Sequence, residues 1–133
     1  MKFISVYEFP DAKNLLYQLL AERTPEQSIS HKSMPSFEWH CGFVDSHPYR
    51  DWRLMSTDDQ MVVGSVYVSK RGDVGIFVFG KFRCQGHGHQ ALQWARSTHC
   101  ELQLYANINP KNEASVKFFE RHGATLLQLT YKL

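Results

Sequence analysis

The chain reads as an α/β or α+β domain built on a mixed sheet, and three observations predict it. Strand-like and helix-like runs follow one another in the order β-α-α-β-β-β-α-β-α-β. Turn signals at Thr57-Asp58-Asp59-Gln60 and Arg71-Gly72-Asp73 join the middle strands as antiparallel hairpins. The later strands are separated by helices, which makes them parallel neighbours with right-handed crossovers. At 133 residues a single domain spanning 1–133 is expected, large enough to bury about two-thirds of its unfolded surface without disulfide or obligatory metal.

Each element has its own signal. Lys2 to Phe9, with Phe3, Val6 and Phe9 apolar, is predicted as the first strand. Asp11 follows Pro10 as an N-cap, and Leu15, Leu16, Leu19 and Leu20 recur at helical spacing, so a helix runs from about Asp11 to Arg23. Thr24 to Met34 is polar and reads as a loop. Ser36 caps a second helix, Phe37 to Ser46, on which Phe37, His40-Cys41 and Val44 form the apolar positions and which Pro48 ends. Trp52 to Ser56, Met61 to Ser69 and Val74 to Phe79 are strands. A helix follows from His89 to Arg96, with Ala91, Leu92 and Ala95 on one face. Leu102 to Ala106 reads as another strand. Asn112 caps a short helix carrying Val116, Phe118 and Phe119, and Gly123 stops it in the left-handed conformation. Ala124 to Leu133 closes the chain as a strand.

Composition narrows the function classes. Hydrophobic residues make up 43% and aromatics 14% of the sequence, more than a disordered chain carries. A formal net charge of +2 is too small to argue for nucleic acid or an anionic membrane. No apolar stretch is long enough to span a bilayer, and Met1 to Val6 lacks the apolar core of a signal peptide. Cys41, Cys84 and Cys100 are odd in number and irregularly spaced, which fits free thiols and a cytoplasmic location.

Chemistry concentrates in Arg83-Cys84-Gln85-Gly86-His87-Gly88, between the strand at Val74–Phe79 and the helix after it. Two glycines one residue apart let the backbone present successive N–H groups. The helix aims its positive end into the same turn, the arrangement that cradles phosphate oxygens. Cys84, His87 and His89 also invite a zinc reading, and hence a zinc-binding interaction domain, although structural zinc ligands come in tighter, more repeated sets.

The same segment resembles the R/Q-x-x-G-x-G/A pyrophosphate loop of the GNAT-type acyl-CoA N-acyltransferases. A second stretch, Asn109-Pro110-Lys111-Asn112-Glu113-Ala114-Ser115-Val116-Lys117-Phe118-Phe119-Glu120-Arg121-His122-Gly123-Ala124, is similar to that family's N-x-x-[AS]-x-x-x-[YF]-E-[KR]-x-G-[FA] helix. Together the matches cover roughly Val62 to Leu133, in the family's order. The resemblance implies a mixed, mostly antiparallel central sheet of about six to seven strands with about four helices, its strands splayed at the coenzyme A site. It implies that main-chain N–H groups of Gln85, Gly86, His87, Gly88 and His89, in the loop opened by Arg83 and Cys84, hold the pyrophosphate. The pantetheine arm would lie in the splay with Phe77 and Val78 as backbone partners. An N–H near Val78 would polarise the thioester oxygen. Asn107, Asn112 and Phe119 would line the far side of the arm.

The implied activity is transfer of acetyl from acetyl-CoA, as co-substrate and without metal, to a primary amine by direct attack in a ternary complex. The acceptor would be a small molecule such as an amino sugar, or a peptide, and the protein a monomer or homodimer. Many members of the family carry Tyr where Phe119 stands, as proton donor, and some carry Glu where Asn107 stands. Neither residue here titrates, so Asp73, His31 and Tyr131 are the candidate proton carriers. A catalytically weak acyl-CoA-binding sensor is the alternative that these departures keep open.

Overall fold

Short turns between apolar runs organise one antiparallel sheet. Its strands are β1 (Lys2–Ser5), β2 (Asp51–Ser56), β3 (Val62–Val68) and β4 (Val74–Val78), in spatial order β1-β2-β3-β4. The computed structural model describes residues 1–23 and 33–133. Four α-helices accompany the sheet: α1 (Ala12–Ala21), α2 (Phe37–Asp45), α3 (His87–Thr98) and α4 (Glu113–Arg121).

Alternation along the strands sends successive side chains to opposite faces, and the core divides accordingly. Leu54 packs with Val6, Leu16, Leu19, Val44, Trp52 and Phe79 on the α1/α2 side. Its neighbour Met55 packs with Val63, Val66, Val68, Val74, Ala91 and Ala95 on the α3 side. Each of the Val, Leu, Met and Phe side chains among them contributes about 1.5–3 kcal/mol when fully buried.

The caps are local chemistry. The Ser36 hydroxyl accepts from the Trp39 amide at 3.1 Å, and the Asn112 carboxamide oxygen accepts from the Ser115 amide at 3.2 Å, as their positions predict. Asp11 stands at the N-cap of α1 but makes no such bond; its carboxylate accepts from the Asn14 side chain instead. Gly123 ends α4 with φ +87.

Three expectations need correction. Helix α3 starts at His87, two residues before the predicted start, so the glycine loop feeds directly into its first turn. Leu102–Ala106 is not a strand: among the described residues its β-pairing is one isolated parallel bridge, Asp73 to Tyr105, just before β4. Ala124–Leu133 pairs with no strand among the described residues, and Leu126, Leu127, Leu129 and Tyr131 lie exposed along it. The sheet of the described residues therefore has four strands rather than six or seven. A strand needs a ladder of hydrogen bonds to a partner as well as an apolar sequence, and among the described residues these two segments form no such ladder.

Candidate active site

The register of β3 against β4 decides which amides are available. Ser69 donates to Asp73, and Phe79 donates to Val63. Continuing that alternation through the pairs Tyr67–Gly75 and Ser65–Phe77 turns the main-chain groups of Val74, Ile76 and Val78 to the other edge. Val74 uses its N–H there on the Tyr105 carbonyl, at 2.7 Å. Beyond that bond the chain leaves β4, and Ala106, Asn107, Ile108 and Asn109 form the opposite wall of a cleft of about 590 Å³. The amides of Ile76 and Val78 thus face an open edge. Of the two predicted backbone partners, Val78 matches this geometry. Phe77 does not: its backbone faces β3 and its ring the cleft, while the Ile76 amide shares the open edge with Val78.

The glycine loop lies at the end of this edge. Cys84 and Gly86 are both left-handed, with φ 60 and φ 83, a curl that gathers successive amides into an anion-binding concavity. The first bond closing α3 runs from the Gln90 N–H to the Gly86 carbonyl, so the amides of His87, Gly88 and His89 have no carbonyl within the helix. A Cβ placed on Gly86 would meet nothing within 4 Å, so the space beside the loop is open. One placed on Gly88 would press on the Phe118 ring at 3.3 Å, which is how α3 and α4 approach each other. These residues fit a pyrophosphate. Arg83 donates from Nε to the Val78 carbonyl at 3.3 Å, tying the loop to the β4 edge, while Gln85 donates to the Lys81 carbonyl at 3.4 Å.

Helix α4 supplies the far wall through Asn112, Ser115, Phe118 and Phe119. Phe118 packs edge-on against Phe119, with centroids 5.0 Å apart. His122 donates from Nδ1 to the Phe118 carbonyl, and its Nε2 lies 2.8 Å from Nδ1 of His89. A histidine pair therefore links α4 to the first turn of α3.

The other end of the cleft is aromatic. Tyr49 and Tyr67 stack with centroids 3.8 Å apart, and Phe43, Trp52 and Phe77 pack around them. Burial raises the pKa of both tyrosine hydroxyls, so they stay neutral at physiological pH. The Arg23 guanidinium lies 4.5 Å from the Phe77 ring centroid; burial lowers its pKa, with the two tyrosines opposing. His40 is 4% exposed. Burial lowers its pKa against a bond to the Lys13 backbone. Its Nε2 has no hydrogen-bond partner among the described residues.

Among the predicted proton carriers, Asp73 lines the cleft. Burial pushes its pKa up, but hydrogen bonds from Arg71, Asn107 and Ser69 outweigh that and leave it below the ordinary carboxylate value. Asn107 is therefore engaged with Asp73, at 3.0 Å. Tyr131 is 77% exposed on the closing segment and is not among the residues that line the cleft. His31 lies outside the described residues. Arg23 and His40 also line the cleft; in the sequence each sits at helical spacing, where a core or solvent position is the ordinary expectation. The one signal available for His40 is a histidine inside an apolar stripe. Among the described residues no group of three or more His, Cys, Asp or Glu side chains is placed to hold a metal ion, which leaves the zinc reading without support. No helix of the described residues is long and apolar enough to cross a membrane.

Known proteins share this architecture. Residues 14–124 match the acetyltransferase (GNAT) family. No curated protein sequence matches. Among solved structures, a transcriptional regulator from Bacillus halodurans C-125 is similar with a TM-score of 0.73 at 15% identity, covering 99% of this chain and 97% of the other. A chimera of the Vibrio cholerae spermidine N-acetyltransferase SpeG with hSSAT gives 0.70 at 12% identity, covering 92% and 81%. An integron cassette protein from the V. cholerae mobile metagenome gives 0.70 at 16%, covering 99% and 90%. At such identities the likeness establishes a shared fold.

Proposed function

This chain belongs to the acetyltransferase (GNAT) family, and from that premise we propose that it transfers an acetyl group from acetyl-CoA to a primary amine. The observation that carries the reading is the continuity of one cleft, from Arg83 and Gly88 at the two ends of the glycine loop, along the edge at Ile76 and Val78, to an aromatic chamber. Bound acetyl-CoA supplies an acetyl carbon activated as a thioester. The loop amides and the α3 N-terminus would bind its pyrophosphate. The β4 edge would hold the arm as an added strand does, and the Val78 N–H would polarise the thioester oxygen.

The amine attacks directly: its nitrogen forms a bond to the acetyl carbon, the carbon–sulfur bond breaks with its electron pair on sulfur, and the proton shed by nitrogen ends on the thiolate. His40, kept neutral by burial, is suited to take that proton first. Asp73, charged and tied to Arg71, is suited to orienting an ammonium. Phe119 donates no proton, so positioning in the cleft carries much of the rate, an effect worth about 7–11 kcal/mol where geometry is favourable. That same residue favours a second reading, an acyl-CoA-binding sensor with little turnover.

Thermal denaturation with acetyl-CoA and with coenzyme A tests the donor. Saturation at about a hundred times the dissociation constant should stabilise the protein by about 2.7 kcal/mol. Thiol release over an amine panel then separates enzyme from sensor. Stabilisation by neither CoA species would remove the proposal.

A further inference from the structure

Resting on the transferase reading above, we infer that the acceptor is an amine carrying both a carboxylate and a ring-sized apolar body, the chemistry of a hydrophobic amino acid. Three observations lead there. The chamber beyond β4 is walled by stacked rings, Tyr49 on Tyr67 and Trp39 on Phe43. Such walls take up apolar or aromatic bodies.

The second observation is Arg23. Its half-buried guanidinium lies over Phe77, the residue next to the amide proposed to polarise the thioester. A guanidinium presents five N–H donors in a planar fork matched to a carboxylate, so it can serve an anion alongside the contacts it already makes. Its position also helps the chemistry. A positive charge beside the acceptor nitrogen disfavours the ammonium form and releases the nucleophile.

The third is the carboxylate content of the cleft. Among the described residues, Asp73 is the carboxylate that lines it, and it already accepts bonds from Arg71, Ser69 and Asn107. A polyamine would need further anions for its remaining charges, and the described cleft does not provide them.

Thiol release at saturating acetyl-CoA compares L-phenylalanine with its methyl ester, phenethylamine, spermidine and glucosamine. The ester's amine is the more easily neutral, so intrinsic reactivity favours the ester and a preference for the acid reports the carboxylate contact. We expect kcat/KM for phenylalanine at least about tenfold above the ester and phenethylamine, the scale of one charge-assisted bond. Arg23→Gln should bring that ratio close to one, and Arg23→Lys should leave it intermediate. Equal or better turnover of the ester, phenethylamine, spermidine or glucosamine overturns the acceptor class, as does an unchanged ratio in a folded Arg23→Gln variant. Should that variant fail to fold, the acid-to-ester ratio of the unmodified protein decides alone. Absence of turnover with every amine, while acetyl-CoA still raises the melting temperature, overturns the transferase reading and this class with it.

Discussion

Gly86→Ala separates the cradle from the fold. Gly86 holds φ +83, a conformation that costs an L-residue about 1–2 kcal/mol. Alanine also restricts the unfolded chain, which returns about 0.4–1 kcal/mol. The net loss is about 1 kcal/mol, or roughly 2–8 °C in melting temperature for a domain near this size. Beyond its neighbours in the chain, nothing lies within 4 Å of the added methyl, so the variant should fold normally. The methyl would instead occupy the space where a phosphate meets the loop amides. Losing one charge-assisted bond there costs about 1.5–3 kcal/mol, a factor of roughly ten to a hundred in affinity. Calorimetric titration with coenzyme A, beside a melting curve of each protein, reads both quantities. A folded Gly86→Ala variant binding coenzyme A within twofold of the original protein would refute the cradle.

Two further outcomes follow from the same geometry. A Cβ at Gly75 would run into the Tyr67 ring, so Gly75→Ala should tilt Tyr67 off Tyr49 and cost about 1–3 kcal/mol. Its acceptor KM should rise more than its coenzyme A affinity falls, and steady-state kinetics showing the reverse would contradict this account of the chamber. Asp73 has a depressed folded-state pKa, so its stabilisation is complete above the ordinary carboxylate range and is lost as pH falls below about 4. Asp73→Asn should flatten the acid limb of melting temperature against pH, whereas parallel curves for the two proteins would show that the Arg71–Asp73–Asn107 cluster contributes nothing.

Much of the fold was legible because its determinants are local. Hairpin turns, the capping residues Ser36 and Asn112, the glycine pair and the stop at Gly123 all act within a few residues of where they stand. The failures share a different cause. Leu102–Ala106 and Ala124–Leu133 have strand-like sequences, but whether a sequence becomes a strand depends on an edge supplied from elsewhere in the chain. The exchange of Ile76 for Phe77 has the same origin. Side-chain alternation is visible in a sequence, whereas the direction of each amide is fixed only once β3 sets the register of β4. Arg23, just past α1, and His40, on α2, were not legible because neither the residues that follow a helix nor a helical stripe reveal that they border a cavity.

The departure of the chain after Tyr105 links these points to function. Had the stretch from Leu102 to Asn109 continued as a paired strand, the amides of Ile76 and Val78 would be consumed by a sheet neighbour and the cleft would close. A single bridge at Asp73–Tyr105, held by the Asn107 carboxamide on Asp73, anchors the two segments at one end. The next residues, Ala106 to Asn109, then form a wall instead of a partner. Asp73 consequently fixes one end of the cleft as well as placing a charge beside it. Hydrogen bonds from Arg71, Ser69 and Asn107 hold the Asp73 carboxylate below its ordinary basicity, and the bond from Asn107 ties the chain opposite to the start of β4 at the closed end of the cleft.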